Sequence, residues 1–395
     1  MTIYREWGLE PIINVSGAVT RLGGAPMPKA VLHAFCAAAA ESVPLDELQA
    51  AASRVIAEAT GAEAGIVTSG AAAGLMIGAA AILAGYNLSR MEKLPHADDF
   101  PNEFIVAREQ RNGYDHAVRA AGVKFVEVGF HEIVAGAGVR RAEAWEYEAA
   151  FGPKTAGVLY VYDVHARPPL ADLVARAHAR GLPLLIDAAG ELPPRANLRT
   201  IVATGADLVA FSGGKAIRGP QSTGILCGRR DLIGAALLQM LDMDDHLELW
   251  EPPTSLIDKQ KLAGIPRHGI GRALKISKEQ IAALLTALKL FTSGAYDREL
   301  AEMSRMLQQI VNALTTWPVR CQLIPSDGQS YPLLEITPTG KKTAFDVCRA
   351  LRRGKPSVQV GHGQLAAGKL VVNPMHLNEE YTALLIRRLQ EEFSV

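Results

Sequence analysis

The chain has 395 residues, 49% of them hydrophobic, which is enough to bury one large core and a smaller one and excludes a disordered or fibrous protein. Lysine plus arginine (41) equals aspartate plus glutamate (41), so no net field draws nucleic acid or an anionic membrane to the whole surface. The four cysteines, Cys36, Cys227, Cys321 and Cys348, lie far apart and form no CxxC pair, which argues against a zinc ribbon and a disulfide scaffold.

In chain order, the opening MTIYREWGLEPIINV is charged and has no long apolar run, unlike a signal peptide. Residues 1–45 read as an irregular arm, with Gly17, Gly23, Gly24, Pro26 and Pro28, leading into a helix over 29–41. Residues 46–274 alternate short β-branched runs with alanine-rich helical runs, the pattern of a mainly parallel sheet covered by helices. Strands are expected at 64–68, 103–107, 124–128, 155–161, 183–187, 208–212 and 223–227, and helices at 71–84, 113–121 and 170–180. The most apolar stretch, 70–85, is short for a membrane span, so a cytoplasmic protein is expected. From residue 275 the texture changes. SKEQIAALLTALKLFTSG and further amphipathic helix precede strand-like runs at 333–337 and 369–372, so 275–395 reads as a smaller α+β domain.

Three segments carry chemistry. Phe211-Ser212-Gly213-Gly214-Lys215 follows an apolar strand, where the glycines allow a sharp turn and the lysine can reach a ligand crevice at the carboxyl edge of the sheet. SGGK alone also describes a solvated loop. In LPLLIDAAG a buried strand ends in Asp187, a carboxylate placed either to keep a pyridine nitrogen protonated or to cap the next helix. Thr68-Ser69-Gly70-Ala71 joins a strand to a helix, and the amides and dipole of a helix start favour phosphate.

The order of TSGAAAG, LLIDAAGELPP and FSGGKAIRGPQSTGIL resembles the fold-type I pyridoxal-5'-phosphate (PLP) enzymes, with an aspartate-aminotransferase-like α/β large domain and a smaller α+β C-terminal domain. More narrowly it resembles the family of L-seryl-tRNA(Sec) selenium transferases and D-glucosaminate-6-phosphate ammonia-lyases. INVSGAVTRLGG and GIGRALKISKEQI extend that likeness over nearly the whole chain. The resemblance implies a PLP-binding large domain at 46–274, Lys215 as the Schiff-base lysine and Asp187 as the partner of the pyridine nitrogen. It further implies Ser69, Gly70, Ala71 and Ser212 on the phosphate side, His116 (with Tyr114 beside it) stacking on the ring, and His165 or Asp163 at the phenolic oxygen. Arg218, Arg267 and Arg272, with Lys275, form basic positions for a substrate carboxylate or phosphate, or else a solvated surface. At 357–362, where relatives are expected to offer an arginine, there is none.

The expected reaction is that of a lyase, which removes the Cα proton of a small hydroxy amino acid or amino sugar acid and eliminates its β-hydroxyl with release of ammonia. Racemisation or epimerisation and transamination share the first step, and selenium transfer on an aminoacyl-tRNA is a further member of the family. The selenium transferases resembled here carry an additional amino-terminal region that helps hold tRNA, whereas this chain reaches INVSGA within its first twenty residues. The expectation is therefore a small-molecule substrate, no nucleic acid, no membrane and no metal. At least a homodimer is expected, with the stretches 14–28 and 218–222 as candidates to cross the interface.

Overall fold

A computed structural model of the chain describes residues 2–130, 141–327 and 330–394. It divides into two compact units, Met27–Lys289 and a second built from Met1–Pro26 together with Leu290–Val395. The strands in chain order are β1 (Ile13–Val15), β2 (Ala64–Thr68), β3 (Glu103–Ala107), β4 (Lys124–Val128), β5 (Thr155–Val161), β6 (Leu184–Asp187), β7 (Leu208–Ser212) and β8 (Gly224–Gly228) in the first part of the chain. They are followed by β9 (Val319–Ile324), β10 (Leu333–Pro338), β11 (Val358–Val360) and β12 (Leu370–Val372).

In Met27–Lys289 seven strands form one sheet in the order β2-β8-β7-β6-β5-β3-β4. All neighbours are parallel except that β8 runs antiparallel to both β2 and β7. Strands β2, β6 and β8 are buried at every position, without the polar alternation of a half-exposed sheet, because helices cover both faces. The helix Ala71–Ala84 is apolar all round and not striped, and it is correspondingly buried. Its Leu75, Ile77 and Leu83 join Ile66, Leu185, Leu208 and Leu226 in the main core.

The two edges of this sheet are used differently. At the amino edge, Asp207 is 1% exposed. It accepts from the Leu184 amide at 2.8 Å and pairs with Arg229 at 3.0 Å and His178 at 2.9 Å, tying the starts of β6 and β7 to the neighbouring segments. At the other edge, Val161 registers with Asp187, and Asp187 with Ala210. Because β8 is reversed, its first residue Gly224 lies opposite both Ser212 and Thr68 there. The ends of β2, β5, β6 and β7 and the start of β8 are thereby collected along one line.

The smaller unit holds an antiparallel sheet in the order β12-β10-β9 and a parallel pair, β1 with β11. Ile13, Asn14 and Val15 register with Val358, Gln359 and Val360. Ile13 and Val15 enter a core with Leu307, Leu334, Val347 and Leu389. The stretch that reads as an irregular arm thus contributes a strand whose partner lies far along the chain, a pairing that local pattern cannot reveal. Among the described residues no helix is long and apolar enough to cross a membrane.

Gly224 shows how tightly the edge is packed: a Cβ there would lie 2.5 Å from the Gly70 carbonyl carbon and 2.6 Å from the Ala71 nitrogen. Backbone cannot yield as a flexible side chain does, so Gly224→Ala should cost about 1–3 kcal/mol. The expected readout is a lower midpoint in a thermal melt, with Gly113→Ala, where a Cβ meets open space, close to the wild type.

Candidate active site

Asp187 is the last residue of β6 and is 7% exposed. Hydrogen bonds on either side fix its backbone, since its carbonyl accepts from the Tyr162 amide at 2.9 Å and the next amide, Ala188, donates to Ala210 O at 3.0 Å. One carboxylate oxygen accepts from the Ala189 amide at 3.0 Å, an aspartate turn that aims the group along the sheet edge. Burial pushes the Asp187 carboxyl up from its ordinary value. The Ala189 amide and the nearby Lys215 ammonium pull it down, and the Asp115 carboxylate adds to the rise.

Lys215 follows β7 in a turn held by its own neighbours. The Arg218 amide donates to Lys215 O at 3.0 Å, and the Gly219 amide to Gly213 O at 2.9 Å. A Cβ on Gly214 would lie 2.5 Å from Gln221 Cα, so only glycine lets the loop fold back this closely. Arg218 is buried at 7% exposure and has φ 62°, the one positive φ of a non-glycine residue among those described. A left-handed conformation in a bulky residue costs about 1–3 kcal/mol and tends to be retained at functional sites. Among the described residues Lys215 has no salt-bridge partner within 4.0 Å, although its charge is felt by Asp187 and Glu191.

Next along the edge, the helix Ala71–Ala84 begins at Gly70 with no side-chain cap. The amides of Ala71, Ala72 and Ala73 therefore have no intrahelical acceptor. Ser69 is half-buried and its hydroxyl donates to Leu274 O at 2.9 Å, so its proton is already committed within the unit. Ser212 ends β7 opposite Gly224, against which Gly70 and Ala71 pack.

The remaining predicted positions lie as follows. His116 is exposed on the short helix Asp115–Ala120 with its ring against Arg119, and Tyr114 beside it is 62% exposed. His165 is exposed on the loop after β5, where its amide donates to Asp163 at 2.6 Å and its carbonyl accepts from Arg141 at 2.7 Å. Arg267 is exposed and pairs with Glu92 at 3.6 Å. Arg272 pairs with Asp242 at 2.6 Å and, with the Asp244 amide and His268, holds that carboxyl down to about 2. Among the four arginine and histidine positions outside the Lys215 turn, two thus already carry acidic partners.

Three groups at this edge went unnoticed in the sequence. Asp115 is buried at 5% exposure and ion-paired with Arg111. Buried Gln110 accepts from the Val161 amide at 3.0 Å and donates to Arg167 O at 3.4 Å, bridging the end of β3 to the end of β5. Glu191 sits four residues beyond Asp187 in the same strand-end loop, a spacing that was itself the available signal. Burial raises its carboxyl above the ordinary value, Asp163 and Asp187 push the same way, and Lys215 pulls it down.

Lys215 and Asp187 at the ends of adjacent strands, with an uncapped helix start on the same edge, are the donor set that PLP requires: an amine, a buried carboxylate for a protonated ring nitrogen, and amides for a phosphate. The comparisons agree. A family profile described as L-seryl-tRNA selenium transferase matches residues 115–245. The chain is 30% identical to a 5'-C-glycyluridine monooxygenase-decarboxylase from a Streptomyces species, over 98% of this chain and 91% of that one. It is 29% identical to the D-glucosaminate-6-phosphate ammonia lyase of Salmonella typhimurium, over 98% of this chain and 97% of that one. A solved structure of D-glucosaminate-6-phosphate ammonia-lyase superposes with a TM-score of 0.82 at 28% identity, covering 100% of this chain and 98% of that one. A C-DES variant with glycine covalently linked to its PLP cofactor superposes with a TM-score of 0.54 at 17% identity over 98% and 99% of the two chains, a likeness of fold alone.

The architecture is that of the fold-type I PLP enzymes. The chain belongs to the family that joins the L-seryl-tRNA selenium transferases and the D-glucosaminate-6-phosphate ammonia-lyases, as its motifs led one to expect.

An ionised Asp187 in a buried place burdens the cofactor-free protein. Asp187→Asn keeps an oxygen for the Ala189 amide and should make that protein more stable at neutral pH by on the order of 1 kcal/mol. The folded carboxyl holds its proton more tightly than the unfolded one, whose value is near the ordinary 3.8. Wild-type stability therefore falls, relative to the variant, as pH rises from there through the raised folded value, and the gap is constant above it. Thermal melts of both cofactor-free proteins across that window check the sign.

Proposed function

We propose that the protein binds PLP through Lys215 and is a lyase that deprotonates Cα and eliminates the β-hydroxyl of a small hydroxy amino acid or amino sugar acid, releasing ammonia. The observation that carries this reading is that Lys215, without a salt-bridge partner among the described residues, follows the strand next to the one ending in the buried Asp187 and acts electrostatically on its carboxylate. Near-full-length similarity to the ammonia lyase supports it.

In this reading the Asp187 carboxylate would hold the ring nitrogen and keep it protonated. A pyridinium there also offsets the desolvation that raises the Asp187 carboxyl when no cation but Lys215 is near. The amides of Ala71 to Ala73, with Gly70 and the hydroxyl of Ser212, would take the phosphate, and the Ser69 hydroxyl could join them only by giving up its bond to Leu274 O. The chemistry that the cofactor supplies when bound is an electron sink for the pair left at Cα. Lys215 would hold it through Nζ and, when that amine is free, would take the Cα proton there. Arg218, three residues beyond Lys215 in the same turn, would bind the substrate carboxylate.

Incubating the purified protein and PLP with a panel of β-hydroxy amino acids and amino sugar acids should give keto acid and ammonia in equal amounts. No product from any of them overturns the proposal. Oxygen uptake is followed in the same assay, because one relative is named a monooxygenase-decarboxylase; consumption of oxygen without ammonia would place the chain with that chemistry instead. Lys215→Ala should abolish borohydride-fixed labelling by PLP and reduce turnover at least about 10²–10⁴-fold.

A further inference from the structure

Elimination of a β-hydroxyl needs an acid as well as a base. Hydroxide is a poor leaving group at neutral pH, so it must receive a proton as the Cβ–O bond breaks, and a second group can give it while Lys215 is engaged at Cα. Lys215 has just taken a proton from Cα and serves at that carbon.

We propose that Glu191 is the catalytic acid that protonates the departing β-hydroxyl. The inference rests on the lyase reading above. Glu191 lies in the loop that leaves the end of β6, and its backbone is pinned on both sides. Its amide donates to Ala188 O at 3.2 Å, and Asn197 Nδ2 donates to Glu191 O at 2.8 Å. The side chain is half-buried, and among the described residues its carboxylate has no hydrogen-bond or salt-bridge partner. The charged groups that act on it are Asp163 on the loop after β5, Asp187 on β6 and Lys215 on the loop after β7. Three adjacent parallel strands thus deliver three carboxylates and one amine to one place. Two carboxylates against one ammonium, in a half-buried setting, favour the protonated form of the third carboxylate. Both carboxyls are raised from their ordinary values, but a pyridinium beside Asp187 would favour its ionised form, whereas the groups acting on Glu191 include two carboxylates and only the Lys215 ammonium.

The step balances. The Cβ–O electron pair leaves on oxygen, the Glu191 proton joins it to form water, and Glu191 remains as carboxylate. The Cα proton held by Lys215 Nζ, or one from solvent, restores the acid.

The test compares the PLP-loaded wild type with Glu191→Gln, using the hydroxy substrates that the wild type turns over and racemic β-chloroalanine, whose chloride leaves without a proton. Glu191→Gln should lower turnover of the hydroxy substrates about 10²–10⁴-fold and leave chloride elimination close to the wild-type rate. Cofactor absorbance should be unchanged. Equal losses with both leaving groups, or no loss with either, overturn the assignment while the lyase reading stands. A wild type inactive on every hydroxy substrate overturns both. Independently of turnover, the infrared difference between wild type and variant at neutral pH should show a protonated carboxyl carbonyl in the wild type. A difference containing only ionised carboxylate overturns the assignment.

Discussion

The desolvated carboxylate of Asp187, at the end of the strand next to the one that leads to Lys215 and within reach of its charge, is the constraint around which the large unit is arranged. A charge at 7% exposure is expensive unless it is hydrogen-bonded and paired. Here the Ala189 amide supplies one bond and Lys215 a partial countercharge, and the carboxyl is still raised. That residual cost is the physical reason to expect a cation at this place, and anything cationic that binds the folded site would stabilise the fold by linkage.

Everything needed to hold that carboxylate in position is backbone. Parallel pairing of β5, β6 and β7 sets Val161, Asp187 and Ala210 in register, and the loops beyond them carry Asp163, Glu191 and Lys215. The reversal of β8 brings Gly224 to the same edge, where the absence of a side chain admits the uncapped start of the helix Ala71–Ala84. At the opposite edge the buried Asp207 is fully engaged with Arg229, His178 and the Leu184 amide. Two buried aspartates at the two ends of one sheet thus have different tasks. The one with full partners ties segments together, and the one with partial partners is available for chemistry.

Much of this was legible beforehand. The alternation of β-branched and alanine-rich runs located all seven strands of the large sheet to within a residue, since strands buried on both faces read as short apolar runs bounded by turn residues. Asp187 was legible because it ends such a run, and Lys215 because it follows another across a two-glycine turn. The pairing of β1 with β11 was not, because its two halves are joined only by contacts across most of the chain. Asp115 was overlooked in favour of its neighbour His116, since residue type draws attention to the imidazole while burial selects the carboxylate. Glu191 was not legible because nothing in GELPP announces that the charges of Asp163, Asp187 and Lys215 act on its carboxyl.

By itself the sequence determined the family and the fold class and singled out Lys215 and Asp187 as the pair on which the proposed chemistry rests, because local strand ends and small-residue turns carry those motifs directly. Tertiary structure alone decided which neighbours share their field. It buried Asp115 and left His116 exposed, gave Arg267 and Arg272 acidic partners, forced Arg218 into a left-handed turn and gathered three carboxylates about one amine. The reason is that charge and burial depend on distance in space, and strand order, which sets those distances, is fixed by long-range pairing that no local pattern carries.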